Sequence, residues 1–337
     1  MNRGLASMHP AYFALVMATG IVSIACQLLA VPVLPVVLLW ANVVFFAALA
    51  ALTVLRAVRY GDRVRADMQN HAQSVGFFTV PAAVNVMGSQ WIMIAGAWRV
   101  AVAFWLAGIV GWAVVTYGIF TTLTVKSEKP SLAEGINGGW LVSVVAAQSV
   151  SVLGTQLAPG FGDGAAGVLF GSLAMWLGGG MLYIWIIALI FYRYTFFVLQ
   201  PSDLAPPYWV NMGAVAISTL AGAMLVIAGG ASPVIRELLP FVKGLTLMFW
   251  ATATWWIPML VILGLWRHVY QRFPLRYDPL YWGLVFPLGM YTACTIRLSQ
   301  ALDVPYLMPV PHVFVWIALA AWTTTFVGLV RSLARAD

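Results

Sequence analysis

Long apolar runs free of acidic residues recur along the whole chain, and they leave few folds open. A helix needs about 20 mostly apolar residues to cross the hydrocarbon core of a bilayer. Ten such runs can be read, over residues 10–29, 33–55, 75–96, 101–122, 138–158, 165–191, 209–229, 242–266, 281–302 and 310–330. All ten acids (Asp62, Asp67, Glu128, Glu134, Asp163, Asp203, Glu237, Asp278, Asp303 and Asp337) fall outside them. Only 8% of the residues are charged, against about 25% in a soluble domain. A water-soluble globule could not cover itself with so few charges. The expected fold class is therefore an all-α integral membrane protein. Its ten transmembrane helices form a single domain over 1–337, seated in an inner or plasma membrane. The apolar run after Met8 is long enough to span and stay, so no cleaved signal peptide is expected.

Lysine and arginine sort by side. Arg3, Arg56, Arg59, Arg63, Arg65, Lys126, Lys129, Arg193, Arg267, Arg272, Arg276, Arg331 and Arg335 fall on one side of a ten-span chain; Arg99, Arg236 and Lys243 fall on the other. Positive charge favours the cytoplasmic face, which predicts both ends inside. Tight turns alternate with longer basic loops, so the chain groups into five helical hairpins.

The net charge of +7 does not argue for nucleic acid, because the basic residues are spread through short loops. Trp40, Trp140, Trp209, Trp266 and Trp282 cluster at run ends, where indoles favour the interface. Cys26 and Cys294 lie inside apolar runs, and His9, His71, His268 and His312 share no ligand spacing. No metal site and no cofactor are expected. No phosphate loop, zinc-protease motif or dinucleotide fingerprint is present, so the chain does not read as an enzyme.

Polar residues favour the odd runs. Those five hold 20 Ser, Thr, Asn and Gln residues, and the even ones hold 12. Odd helices that line something wet would explain this, and so would hydrogen bonding between helices. Thr19, Ser23, Thr79, Asn85, Gln148 and Ser218 are the polar candidates for lining a pathway. Pro81, Pro258 and Pro287 lie inside runs, where each removes a backbone hydrogen bond and bends the axis; Pro81 and Pro287 join the lining candidates. Gly167, Gly171 and Gly178 to Gly180 read as points of helix contact. With no carboxylate in the membrane, a cation route is disfavoured, leaving neutral solutes or anions. Arg297 is the one charged residue well inside a run, since Lys243 stands at the very start of the eighth. It lies within about 20° of Phe286 on the ninth helix at about 100° per residue, with Met290 between them. It could face a pathway, reach the outer surface, or pair with Asp303.

The stretches His9-Pro10-Ala11-Tyr12-Phe13-Ala14-Leu15-Val16-Met17-Ala18-Thr19-Gly20-Ile21-Val22-Ser23 and Tyr281-Trp282-Gly283-Leu284-Val285-Phe286-Pro287-Leu288-Gly289-Met290-Tyr291-Thr292 carry a resemblance. They are similar to the first and ninth helices of the tellurite-resistance/C4-dicarboxylate transporter family. That family includes TehA, the plant slow anion channels and the fungal malate and sulfite transporters. The resemblance implies five hairpins around a quasi-fivefold axis, a central pore lined by odd helices, and a homotrimer with one pore per subunit. It also implies a small anionic solute, and a gate formed by the ninth-helix phenylalanine, matched here by Phe286. By the run limits, Phe286 falls nearer the loop side than mid-membrane. Two modes of transport stay open, a channel for small anions and a proton-linked exporter of dicarboxylates, sulfite or tellurite-related oxyanions.

Overall fold

Ten helices of fifteen residues or more carry the fold: α1 (Ala14–Leu28), α2 (Leu34–Arg59), α3 (Thr79–Ala95), α4 (Trp98–Val125), α5 (Val142–Leu157), α6 (Ala165–Phe196), α7 (Val210–Ala228), α8 (Pro233–Leu265), α9 (Trp282–Leu302) and α10 (Pro309–Ala334). The computed structural model describes residues 2–334, with side chains from residue 4 onward. The side chain of Arg3, and Arg335 and Asp337, which were counted above, lie outside the described residues. No strand occurs among the described residues.

The odd helices close a ring. α1 packs on α3, α3 on α5, α5 on α7, α7 on α9, and α9 back on α1. Each even helix packs outside its own hairpin partner and also touches the next odd helix around the ring. Close approach within the ring depends on small residues. A Cβ on Gly213 of α7 would lie 2.7 Å from Pro287 Cγ of α9, and one on Gly289 of α9 would lie 3.0 Å from Ile21 of α1.

Every odd helix starts from a short 3-10 turn: Pro10–Phe13, Ser74–Phe78, Gly138–Leu141, Pro206–Trp209 and Pro279–Tyr281. Three are capped from the residue before them. His9 Nδ1 accepts from the Ala11 amide, Asn137 Oδ1 from Gly139 and Asp278 Oδ1 from Leu280, at 2.8 to 3.1 Å. These turns pack on one another in the same cyclic order as the helices they start. A second repeated device holds them. Near the end of the even helices, Arg56, Lys126, Arg193 and Arg267 donate to the carbonyls of Ala6, Gln69, Ala133 and Leu204. Each of those carbonyls lies just ahead of the odd helix in the same hairpin. Arg56 also pairs with Asp67 at 2.6 Å and Arg193 with Asp203 at 3.3 Å. Four of the cations that sort by side therefore also tie the loops down.

The structure departs from the sequence reading in several places. Helix α8 begins at Pro233, nine residues before the expected run, because Ser232 accepts from the Ile235 amide and Pro233 suits a first helical position. Arg236 and Glu237, expected in a loop, therefore lie on a helix, exposed on its early turns. Pro81 is the third residue of α3, where no helical hydrogen bond is lost; its ring faces Gly111 of α4. In α6, Gly179 and Gly180 meet Gln148 and Phe249, but Gly167, Gly171 and Gly178 face open space. Eight segments are long and apolar enough to cross a membrane. One of them, Gly138–Phe196, contains both α5 and α6, and α9 is not among the eight. Thr292, Thr295, Arg297, Ser299 and Gln300 dilute α9 below that measure.

Candidate pathway along the ring axis

Two cavities lie on the axis of the ring. The wide one, about 530 Å³, opens among the 3-10 turns on the loop side. The narrow one, about 20 Å³, lies toward the opposite ends of the odd helices. The second has room for little more than one water molecule.

Their linings expose a repeat that the apolar pattern hides. Ala14, Thr79, Val142, Val210 and Gly283, one from each odd helix, line the wide cavity. Seven residues further on, Ile21, Val86, Ser149, Ile217 and Met290 line the narrow one. Fourteen residues on, Leu28, Met93, Gln156, Met224 and Arg297 do so as well. Steps of seven and fourteen hold one helix face to within about 40°, so all five helices present the same face in the same register. The level between the cavities, three residues after the first, is Met17, Ala82, Val145, Gly213 and Phe286. All five are buried, with Phe286 1% exposed. Phe286 is the one large ring at a level where the other four residues are aliphatic or glycine. It is the fifth residue of α9, about 6 Å above the helix start. That agrees with its expected position near the loop side, because the wide cavity ends there. Pro287 beside it has no N–H to give the Gly283 carbonyl at the cavity wall.

The lining candidates divide. Thr79 reaches the wide cavity, and Asn85, Met290 and Arg297 reach the narrow one. The other polar candidates line neither cavity. Thr19 Oγ1 accepts from Trp322 of α10 at 2.9 Å, and Ser23 donates to the Pro35 carbonyl of α2 at 2.8 Å. Gln148 donates to the Trp176 carbonyl of α6 at 3.0 Å, and Ser218 to its own helix at Ala214. Pro81 faces α4, and Pro287 meets the Gly213 position of α7. Thr19, Ser23 and Gln148 bond to even helices because a hydroxyl or amide in hydrocarbon must find a partner. Sequence reasoning missed Ser89, Ser149 and Gln156 in the narrow cavity, and His9, Gln73 and Asn137 in the wide one. The seven-residue step from the ends of the 3-10 turns, aromatic at Phe13, Phe78, Trp209 and Tyr281, was the available signal.

Charge differs between the cavities. The wide one holds Arg193, Glu134, Asp203 and His9. Arg193 is satisfied by Ala133, Tyr208 and Asp203. Burial lowers the His9 pKa, opposed by Asp278 and Asp67 and assisted by Arg56. The narrow cavity has Arg297 and no acid.

Residues 7–330 match the family model for SLAC1, the voltage-dependent anion channel. The chain belongs to that family. An uncharacterized transporter of Methanocaldococcus jannaschii is 24% identical over 343 residues, covering 99% of this chain and 97% of its own. A sulfite efflux pump of Trichophyton rubrum is 22% identical over 340 residues, covering 96% and 90%. An uncharacterized membrane protein of Mycobacterium tuberculosis is 43% identical over 153 residues, 45% of this chain and 77% of its own. The resemblance carried by the first and ninth helices is thus upheld over nearly the whole chain. The protein is a multi-pass membrane member of an anion channel and transporter family.

Proposed function

We propose that this protein passes small anions passively along the axis of the five odd helices, with the level at Phe286 as a closed gate. Ten helices cross the membrane in this reading. α9 counts as a span because it completes the ring, although it is less apolar than the rest. The long loops and both chain ends face the cytoplasm, as the lysine and arginine distribution favours. The observation that carries the reading is the fivefold register: wide cavity, apolar level and narrow cavity follow one another on a single axis. A buried apolar level excludes water, and an ion cannot cross it without its hydration, so a ring side chain there gates by occupancy. Flow down the gradient needs no carboxylate to bind and release a proton. Because the ring closes within one chain, each subunit of the implied homotrimer would own its pathway.

The test is the current through purified protein in planar bilayers. Phe286→Ala should raise anion current at least about tenfold. An unchanged current in a folded variant removes Phe286 from the gate. The relative named as a sulfite efflux pump favours a second reading, coupled export of an oxyanion. It requires labelled sulfite to accumulate in proteoliposomes under a pH gradient, with no current in either protein.

A further inference from the structure

The end of the axis away from the loops is electrically unlike the rest of the ring. Four of the five residues in its last level, Leu28, Met93, Gln156 and Met224, are neutral, and the fifth is Arg297. Its guanidinium donates to Gln300 Oε1 at 2.9 Å. Among the described residues no carboxylate lies within 4 Å of it, and Arg56 and Arg193 supply the two ion pairs. Asp303, the nearest acid in sequence, sits in the left-handed cap of α9 and does not pair with it. Gln156 lines the same cavity. Its Nε2 meets only the Met93 sulfur, at 3.3 Å, and its Oε1 is buried without a partner. An amide held by one weak contact can turn to offer N–H or oxygen as the occupant requires.

We propose that Arg297, with Gln156 in the same level, forms a docking subsite for a small inorganic anion at the mouth away from the loops, and that this subsite sets the preference for anions over cations. The inference rests on the reading of the ring axis as an anion pathway. A cleft with charge of one sign and low-dielectric walls concentrates the opposite ion at its entrance. The cavity beyond has room for about one water-sized particle. An arriving ion therefore sheds most of its water at this level, and a fixed cation compensates an anion and opposes a cation. The wide cavity, where Glu134 and Asp203 offset Arg193, supplies no such discrimination.

The experiment uses the Phe286→Ala protein, so that current is large, and measures reversal potential under a tenfold potassium chloride gradient. Adding Arg297→Gln should lower the anion-to-cation permeability ratio about tenfold. It should also cut conductance at low salt while leaving it nearly unchanged at 1 M, where screening shortens to about 3 Å. Arg297→Lys should keep the ratio. Arg297→Cys should lose it and regain it when a cationic thiol reagent is added on the side away from the loops; Cys26 and Cys294 are buried and serve as the unreacting background. Unchanged reversal potential and salt dependence in folded Arg297→Gln would overturn the subsite and leave the pathway standing. Absence of current in every variant, Phe286→Ala included, would overturn the pathway and the subsite together.

Discussion

In two of the five hairpins the inner-ring and outer-belt helices are built from similarly apolar sequence but meet different surroundings. In the first hairpin, the most apolar window of the inner segment Pro10–Leu28 is 78% buried, and that of the outer segment Leu34–Arg59 is 22% buried. The fourth hairpin repeats the contrast, with 78% for Pro206–Ala231 and 22% for Pro233–Tyr270. The mean hydropathies of these four segments differ little, running from 1.6 to 2.3. Hydropathy therefore says that a helix lies in the membrane and nothing about whether lipid or protein surrounds it. Lipid is as apolar as leucine, so the ring is held by close packing of small residues and by hydrogen bonds across helices. This also explains why most polar residues of the odd helices bond to protein and do not line the axis.

Four further measurements would break or sharpen that contrast. The largest expected effect beyond the gate itself is on the ring contacts. Gly213→Leu would drive a side chain into Pro287 and should cost about 1 to 3 kcal/mol or more, seen as a lower unfolding temperature in detergent. Gly171→Ala on α6, where nothing lies within 4 Å, should be neutral or stabilise by up to about 1 kcal/mol. Equal losses at both sites would mean that the inner and outer surfaces are packed alike.

Next come two glutamines on the same helix. Gln148→Leu removes the bond to the Trp176 carbonyl and should cost about 1 kcal/mol of stability with little change in current. Gln156→Leu, one helix face away, should alter current in the Phe286→Ala background and leave stability within about 1 kcal/mol. If the two exchange phenotypes, the register assigned to α5 is wrong. A smaller effect is expected in the belt. Val44→Ala, 64% exposed, should shift stability by no more than about 0.5 kcal/mol; a large loss would reveal a protein contact there.

The smallest effect is on pH. His9 caps the first 3-10 turn through an unprotonated Nδ1, and burial lowers its pKa from the ordinary 6.5. Below that value the unfolded chain takes up a proton that the folded protein resists, so the His9 contribution falls as pH falls. His9→Asn, which can keep the cap, should flatten thermal stability between pH 6.5 and the lowered value. An unchanged slope would remove His9 from that dependence.

Much of the fold was legible in the residues. The ten apolar runs foretold ten helices, and all but α8 start and end within a few residues of them. The candidate site was legible only in part. Thr79, Asn85, Met290 and Arg297 were chosen and line the cavities, yet Thr19, Ser23 and Gln148, chosen for polarity as Thr79 and Asn85 were, point outward. Polarity marks a residue that needs a partner and does not say on which side the partner stands. The early start of α8 was hidden because Arg236 and Glu237 read as loop, although an exposed helical turn suits them equally well.

The sequence by itself determined that the chain lives in a bilayer and crosses it in helices whose charged ends sort by side. Those are one-dimensional properties, set by hydrocarbon thickness and by the cost of placing charge in it. Only the tertiary structure decided which face of each helix looks inward. When every face is apolar, nothing in hydropathy fixes the rotation of a helix about its own axis. Contacts such as Gly213 on Pro287 and Gly289 on Ile21 fix it, together with the side-chain clips from Arg56, Lys126, Arg193 and Arg267. From that rotation follow the shared register, the buried level at Phe286, and the unpaired cation at the far mouth.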